Sequence, residues 1–324
     1  MQTRRIGRSG LYVTPLILGG NVFGWTADRE ASFAVLDAFI DAGYNAVDTA
    51  EQYSKWVPGH AGGESEAVIG AWLKSRRARD RIVLATKVGG QLPGDNSDLS
   101  ASAIVKSVEG SLARLQTDYI DLYQSHTDDT ATPLDETLEA HDRLIRAGKV
   151  RAIGASHLSP DRLLQALAVS ERDGLARYEC LQPQFNLVKR SEYEGPLQQA
   201  VLLGGLGVIT YSSLAKGFLS GKYRTAEDCA RSAWDKWLKT YLDERGTRIL
   251  RALEEVADQQ GASMAEIALA WVIAQPGVTA AIVAANTVGE LSELLGAGRV
   301  SLNESQLAVL SAASAVAGDA REQS

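Results

Sequence analysis

The first apolar strand of the chain ends in the stretch Leu18-Gly19-Gly20-Asn21-Val22-Phe23-Gly24. This stretch distinguishes between the two common classes of parallel α/β fold. A doubly wound open sheet usually carries Gly-x-Gly-x-x-Gly after its first strand, where the backbone must turn tightly. The glycines at 19, 20 and 24 do not have that spacing. This stretch therefore favours the other common parallel arrangement, a closed (β/α)8 barrel.

Short apolar strands and amphipathic helices alternate along the rest of the chain, which is typical of a parallel α/β fold. Eight such units in about 300 residues suit a barrel. The eight strands are predicted at residues 15–18, 44–47, 81–86, 119–123, 150–154, 180–182, 207–211 and 279–283. A short hairpin is predicted over residues 4–15, and extra helices at 288–295 and 303–316. No linker interrupts the pattern, so we predict a single domain spanning residues 1–324.

The composition excludes several classes of protein. The chain has 324 residues, 45% of them hydrophobic, and a net charge of −7 from 33 basic and 40 acidic residues, which does not favour nucleic acid as a partner. Cys180 and Cys229 are too few for a disulfide scaffold, and no segment approaches the roughly 20 apolar residues of a membrane span. With no signal-peptide pattern at its start, the chain is predicted to be cytoplasmic and off the membrane. Its oligomeric state is left open.

Polar side chains stand at the carboxyl ends of three successive predicted strands. Asp48 and Tyr53 follow the second strand, Lys87 closes the third, and His126 follows the fourth. Catalytic groups of barrels come from these strand ends. A phenol has a pKa near 10, and a buried cation beside it is one way to make it donate a proton at neutral pH. Taken alone, Tyr53 is more often a packing residue and Lys87 a surface residue, while Asp48 and His126 are as often structural as functional, but their joint occurrence predicts one site.

These segments carry a resemblance to the aldo-keto reductases. Val47-Asp48-Thr49-Ala50-Glu51-Gln52-Tyr53 looks like the family's D-T-A-x-x-Y signature, Thr86-Lys87 like its T-K strand end, and Tyr123-Gln124-Ser125-His126 like its fourth-strand histidine. The resemblance implies a (β/α)8 barrel that binds NADPH across its mouth. It also implies a catalytic tetrad, which here is Asp48, Tyr53, Lys87 and His126.

Three later segments, residues 148–156, 181–187 and 210–222, are similar to further motifs of the family. The resemblance implies that Ser156 and Gln182 bind the nicotinamide carboxamide and that Tyr211 stacks on the nicotinamide ring. It places Ser212, Leu214 and Lys216 along the pyrophosphate.

Two departures from the family pattern bear on cofactor binding. His157 stands where the family has asparagine beside the carboxamide. In the loop after the last strand, which begins Ala284-Ala285, Asn286 and Glu290 occupy places where a basic residue often holds the adenosine 2′-phosphate. The resemblance therefore implies NADPH as the cofactor, with NADH possible.

The reaction that the resemblance implies is reversible hydride transfer between the nucleotide and a small-molecule carbonyl, with Tyr53 donating the proton. Trp25 and Trp56 follow the first two strands and either line a substrate pocket or pack structurally. Residues 222–240 form either a lid over the cofactor or a packed loop. An alternative function is a regulatory or redox-sensing subunit that binds nicotinamide nucleotide and turns over slowly.

The histidines do not predict a metal site. His60, His141 and His157 form neither H-x-H nor H-x-x-x-H spacing with His126. His141 lies in a charged helical segment and is predicted to face solvent. No metal is therefore expected.

Overall fold

The computed structural model describes residues 1–90, 96–232 and 234–315. The strands of these ranges are β1 Arg4–Arg5, β2 Tyr12–Val13, β3 Leu16–Gly19, β4 Ala46–Asp48, β5 Val83–Val88, β6 Ile120–Ser125, β7 Val150–Ser156, β8 Tyr178–Gln182, β9 Gly207–Thr210 and β10 Val278–Val283. Eight of them, β3 to β10, are parallel and close into a barrel in chain order, with β10 beside β3. The strands β1 and β2 form an antiparallel hairpin. The predicted barrel and its amino-terminal hairpin are confirmed.

Helices surround the barrel. Within the described ranges they are α1 Arg29–Asp41, α2 Glu64–Arg76, α3 Ala101–Leu115, α4 Leu134–Arg146, α5 Pro160–Asp173, α6 Pro196–Gly204, α7 Ala226–Ala230, α8 Asp235–Leu238, α9 Glu244–Gln260, α10 Met264–Ile273, α11 Val288–Ser292 and α12 Glu304–Ser314. Short 3₁₀ turns lie at Arg79–Arg81, Ala215–Ser220, Lys239–Tyr241 and Leu295–Gly298. None of the helices described is long and apolar enough to cross a membrane.

Side-chain caps start several of the helices. Asp28 accepts a hydrogen bond from the Ala31 amide at the start of α1, and Ser100 caps α3 in the same way. Ser159 caps α5, and proline fills the first helical position, where no amide hydrogen is needed. These caps fix the lengths of the loops at the barrel mouth.

The barrel interior has an apolar lower layer and a polar upper layer. The lower layer is made largely of small side chains, such as Ala46 of β4 and Ala85 of β5, and the hairpin residues Ile6, Leu11 and Val13 pack against it. Successive inward positions of a strand are two residues apart. On β4, β5, β6 and β8 the next inward positions towards the mouth are polar, and they are Asp48, Lys87, Gln124 and Gln182; on β7 that position is Gly154, and Ser156 lies two residues beyond it.

Candidate active site

The ammonium group of Lys87 is the centre of the site. Its Nζ donates hydrogen bonds to Asp48 Oδ2 at 2.6 Å, to the Thr49 carbonyl oxygen at 2.9 Å and to the Tyr53 hydroxyl at 3.0 Å. Lys87 and Asp48 are 0% and 1% exposed, so both charges are withdrawn from water. Strands β4 and β5 thus bring together three of the four predicted catalytic residues.

Two glutamines hold the other oxygen of Asp48. Gln124 and Gln182 each donate from Nε2 to Asp48 Oδ1, at 3.1 and 3.0 Å. Gln124 was not among the predicted site residues, although it lies two residues after Leu122, which faces the barrel interior, and that period marks it as inward-facing. A side chain at Gly154 would meet Gln124 at 3.1 Å, so glycine leaves room for this contact.

Burial and charge set the protonation states of Tyr53 and Lys87. Burial raises the pKa of the Tyr53 phenol above its usual value, and the nearby Lys87 cation opposes that rise without cancelling it. For Lys87, burial disfavours the ammonium, but Asp48 and Tyr53 outweigh that effect and its pKa is raised. At neutral pH the site therefore holds a charged ammonium beside a protonated phenol. Lys87 thus acts in the expected direction, lowering the pKa of the phenol, but the effect of burial is larger and the pKa of Tyr53 stays above its ordinary value.

His126 completes the predicted tetrad. Its ring lies 6.1 Å from the Tyr53 ring in an edge-on arrangement, and the side chain is buried. Burial, with smaller contributions from Lys87 and His157, holds the pKa of His126 well below 6.5, so the imidazole is neutral. Nδ1 is buried and has no hydrogen-bond partner among the residues described. Because a buried N–H without a partner is costlier than a buried acceptor without one, this favours the tautomer with hydrogen on Nε2.

Aromatic rings continue outward from the tetrad. Trp56 lies edge-on to the Tyr53 ring at 6.1 Å, and Trp25 lies edge-on to Trp56 at 5.6 Å. The two tryptophans from the loops after β3 and β4 therefore pack on each other and on Tyr53. This places them beside the tetrad, as the substrate-pocket prediction requires, and their role toward substrate stays a prediction.

Three of the predicted nicotinamide contacts lie together on the other side of His126. The hydroxyl of Ser156 donates to the Gln182 carbonyl oxygen at 2.7 Å. His157 Nδ1 lies 2.9 Å from the His126 carbonyl oxygen, and its Nε2 lies 3.0 Å from the Tyr211 hydroxyl. Burial raises the pKa of Tyr211 to about 12, so that phenol is protonated. The ends of β6, β7, β8 and β9 are thereby joined.

The loop after β9 has an unusual backbone. Ser212, Ala215 and Lys216 have φ values of 54°, 49° and 56°, in the left-handed region that side chains other than glycine rarely adopt. Asn186, which the sequence analysis did not single out, donates to the Ser212 carbonyl oxygen at 2.9 Å and holds the loop. Alternating backbone turns of this kind make concave anion-binding surfaces. Leu214 lies within the same turn.

Lys216 has an aromatic environment. Its Nζ lies 4.0 Å from the ring centroid of Trp234 and 5.5 Å from that of Trp237. Burial lowers the pKa of Lys216. The described part of residues 222–240 is thus packed against the loop after β9 through Trp234 and α8, with Leu238 buried and α7 packed on α8.

The loop after β10 forms a separate polar cluster. Ala285 is buried, the Asn286 amide donates to Glu290 Oε2 at 2.8 Å, and Thr26 donates to Asn286 Oδ1 at 2.6 Å. The structure also brings a cation close to this loop. Lys222 Nζ lies 2.8 Å from Glu293 Oε2, and that hydrogen bond, with Glu290 nearby, raises the pKa of Lys222.

His141 does not face solvent, and that expectation is wrong. It is fully buried between the rings of Tyr123 and Tyr178, and Nδ1 lies 2.8 Å from the Thr137 carbonyl oxygen. Leu138 and Leu144, three residues before and after it, share the buried face of α4. That helical spacing was the signal to use, rather than the charge of its immediate neighbours. Burial lowers the pKa of His141 to about 4.

Metal-ligating side chains are dispersed over the described ranges. Among those residues, no group of three or more histidine, cysteine or carboxylate side chains could hold a metal ion.

Comparison with known proteins agrees with this geometry. The model of the Aldo/keto reductase family matches residues 15–315. The chain is 36% identical over 317 residues to the uncharacterized oxidoreductase YrpG of Bacillus subtilis, covering 96% of this chain and 95% of the relative. It is 34% identical over 304 residues to a probable voltage-gated potassium channel subunit beta of Oryza sativa, covering 90% of each. It is 34% identical over 285 residues to the aldo-keto reductase YhdN of B. subtilis, covering 86% of this chain and 81% of the relative.

The chain therefore belongs to the aldo/keto reductase family. This is an oxidoreductase family that uses nicotinamide cofactors and acts on small-molecule carbonyls. The resemblance drawn from the sequence is confirmed, while the roles of individual site residues stay predictions.

Proposed function

We propose that the protein reduces an aldehyde or ketone to an alcohol with NADPH. The observation that carries this proposal is the position of Lys87, whose Nζ is within hydrogen-bond distance of both Asp48 and the Tyr53 hydroxyl. A protonated phenol beside a buried cation can donate its proton and remain as a stabilised phenolate.

The residues at the barrel mouth fit a nicotinamide dinucleotide. The left-handed backbone of Ser212 and Lys216 offers a concave surface for phosphate oxygens, and Lys216 contributes a cation that contacts indole rings rather than a carboxylate. Leu214 would lie along the same pyrophosphate path. Tyr211, Ser156, His157 and Gln182 would hold the nicotinamide end, and Ala285, Asn286 and Glu290 the adenosine end. When bound, a reduced nicotinamide supplies the hydride.

The proton comes from Tyr53. As negative charge develops on the carbonyl oxygen, the phenol hydroxyl transfers its hydrogen to that oxygen. Lys87 stabilises the phenolate that remains. Asp48 keeps Lys87 charged, since a buried ammonium without a partner loses its proton readily, and the two glutamines hold the carboxylate in place.

His126 orients the carbonyl. As a neutral ring with hydrogen on Nε2, it donates a hydrogen bond to the same oxygen without adding a second cation beside Lys87. Trp25 and Trp56 form an apolar wall next to Tyr53, which favours substrates that have an aromatic or aliphatic group next to the carbonyl.

A substrate panel tests the proposal. Aldehydes, ketones and sugars are offered with NADPH and with NADH, and nucleotide oxidation is followed together with alcohol formation. We expect alcohol formation in a one-to-one ratio with NADPH oxidation for at least one aldehyde. Absence of turnover across the panel by protein that binds NADPH would contradict the proposal.

A second candidate function rests on the relative from Oryza sativa whose name is a probable potassium channel subunit beta. A subunit that senses nicotinamide nucleotide would bind it tightly and reduce carbonyls slowly. The complete Asp48, Tyr53, Lys87 and His126 arrangement favours the enzyme. Single-turnover measurement separates the two, because a sensor would retain its oxidised nucleotide long after one cycle.

A further inference from the structure

His157 occupies a strained position between two parts of the site. It directly follows β7, and its φ of 53° lies in the left-handed region, which few side chains adopt. This backbone places its imidazole between the rings of His126 and Tyr211, at centroid distances of 6.2 and 5.5 Å. Strain of this kind persists where the surrounding structure enforces it, often at functional sites.

The hydrogen bonds of His157 fix its tautomer. Nδ1 lies 2.9 Å from the His126 carbonyl oxygen, which can only accept. Nδ1 must therefore carry the hydrogen. The Ser156 hydroxyl, 3.0 Å from Nδ1, donates its own hydrogen to the Gln182 carbonyl and can also accept from Nδ1. In the neutral ring, Nε2 is then an acceptor, and the Tyr211 hydroxyl at 3.0 Å donates to it.

The result is a chain of two hydrogen bonds that run in one direction. The Tyr211 hydroxyl donates to His157 Nε2, and His157 Nδ1 donates to the His126 carbonyl oxygen. The two ends are the residues proposed above to support the nicotinamide ring and to orient the substrate carbonyl. Neither end contacts the other directly in the hydrogen bonds described, so the imidazole is their connection. Hydride transfer requires the nicotinamide carbon and the carbonyl carbon to be held in register.

We propose that His157 is a positioning residue that sets the placement of Tyr211 relative to His126, acting as the Nδ1–H tautomer. The proposal rests on the proposed function, since the roles of Tyr211 and His126 come from it. Asparagine at this position would reach the His126 carbonyl with its amide nitrogen but would be too short to accept from Tyr211. The choice of histidine therefore adds the link to Tyr211.

The first test is the tautomer itself. The chain has four histidines, so selective ¹⁵N labelling gives few signals, and the His157→Asn variant assigns the one that disappears. Spectra are recorded at about pH 9, where imidazoles are neutral. We expect the His157 signals to show hydrogen on Nδ1. Hydrogen on Nε2, the form favoured in free histidine, would overturn the proposal and leave the carbonyl-reduction proposal untouched, because this readout needs no turnover.

The second test measures coupling between His157 and Tyr211. NADPH dissociation constants and single-turnover reduction rates are compared for His157→Asn, Tyr211→Phe and the double variant. Each single variant removes the hydrogen bond between Tyr211 and His157 and should lower the reduction rate by about 2- to 10-fold. Because both substitutions break the same bond, the rate of the double variant should be no lower than that of either single variant. Independent, multiplying effects would overturn the proposal.

A matched control uses a phenol at the other end of the barrel. Tyr119 donates to Asp80 at 3.2 Å, just before β6 begins. Tyr119→Phe also removes a phenol hydrogen bond, and its effect should multiply with that of His157→Asn. If Tyr119→Phe coupled to His157→Asn as strongly as Tyr211→Phe does, general destabilisation would account for the result and the proposal would fail. If no variant or wild-type protein reduced any carbonyl, the proposed function would fail instead, and the tautomer would still be measurable.

Discussion

The buried ammonium of Lys87 lies 2.6 Å from a carboxylate oxygen of Asp48, and neither side chain is more than 1% exposed. Two opposite charges can be withdrawn from water at a tolerable cost only as a pair. The same ammonium donates a hydrogen bond to the Tyr53 hydroxyl. The Lys87–Asp48 ion pair, which the folded protein needs for stability, is therefore also the group proposed to stabilise the Tyr53 phenolate. Stability and activity therefore both depend on Lys87, and substitutions of Lys87 and Asp48 can separate the two effects.

Lys87→Met should lower both the free energy of unfolding and the rate of carbonyl reduction. Leaving Asp48 buried and unpaired costs about 3–5 kcal/mol of unfolding free energy, and reduction should stay low at every pH from about 6 to 9 because the phenolate has lost its cation. Urea unfolding and turnover on one substrate check the two effects.

The double variant Lys87→Met with Asp48→Asn is the matched control. Both charges are then gone, and the asparagine oxygen can still accept from Gln124 and Gln182. Unfolding free energy should recover in part, while activity should not. A double variant less stable than Lys87→Met would contradict the account of the buried pair.

The burial of His141 predicts a loss of stability in acid. Its pKa is about 4 in the folded protein and about 6.5 in the unfolded chain, so the unfolded state takes up the proton first. The stabilisation is complete above pH 6.5 and is lost as the pH falls toward 4. The His141 contribution should fall by about 2 kcal/mol between pH 7 and pH 5.

His141→Phe tests that contribution by urea unfolding at both pH values. Between pH 7 and pH 5 this variant should lose less stability than the wild type. Part of the loss that it still shows comes from His126, which is also buried as a neutral ring. His60→Gln, at a partly exposed loop position, serves as the control and should retain the wild-type loss. An unchanged loss in the His141 variant would show that this group is accessible to protons in the folded protein.

Glu290 should weaken the preference for NADPH over NADH. Its carboxylate accepts from Asn286 and would repel a 2′-phosphate, although solvent at the barrel mouth screens that repulsion. Glu290→Arg should shift the preference toward NADPH by ~1–3 kcal/mol if the new ion pair is well formed. KM values for both nucleotides measure the shift.

Glu290→Gln is the control for charge alone, because its amide oxygen can still accept from Asn286. It should move the preference in the same direction but by less. If the arginine variant left the ratio of KM values unchanged, Glu290 would not face the adenosine end of the nucleotide.

Activity should not depend on a metal ion. The proton and the oxyanion contacts are assigned to Tyr53, Lys87 and His126, and no metal-ligating cluster lies within the parts of the chain that the structure describes. Exhaustive dialysis against a chelator should leave turnover unchanged. A loss that zinc or another divalent ion restores would refute this expectation.

The barrel and the meeting of Asp48, Tyr53, Lys87 and His126 at its mouth could be predicted because strand ends in parallel folds converge. An apolar strand that ends in Asp48 or Lys87 places its last polar side chain at the mouth whatever the packing elsewhere. Gln124 was missed because its contact with Asp48 joins β6 to β4, two strands that are separated by β5, so the pairing of adjacent strands does not indicate it.

Other features depended on packing that local sequence does not specify. His141 has Glu139 and Asp142 as charged neighbours in its helix, yet its place on the face shared with Leu138 decided its burial. The contact of Lys216 with Trp234 joins segments 18 residues apart in chain position, and nothing in the spacing indicates it. The ion pair of Lys222 with Glu293 likewise joins residues 71 positions apart in the chain.

The central claim is that Tyr53 supplies the proton for carbonyl reduction. Tyr53→Phe removes only the hydroxyl and keeps the ring contacts with Trp56 and His126. Loss of a positioned general acid costs ~10²–10⁴ in rate. Tyr12→Phe, in the exposed hairpin, is the control that should leave turnover unchanged.

The most direct measurement is the single-turnover rate of aldehyde reduction by NADPH-loaded Tyr53→Phe, with the NADPH dissociation constant determined on the same preparation. We expect a dissociation constant close to that of the wild type and a reduction rate lower by ~10²–10⁴. A rate equal to the wild-type rate, with NADPH bound equally well, would contradict the assignment of Tyr53 as the proton donor.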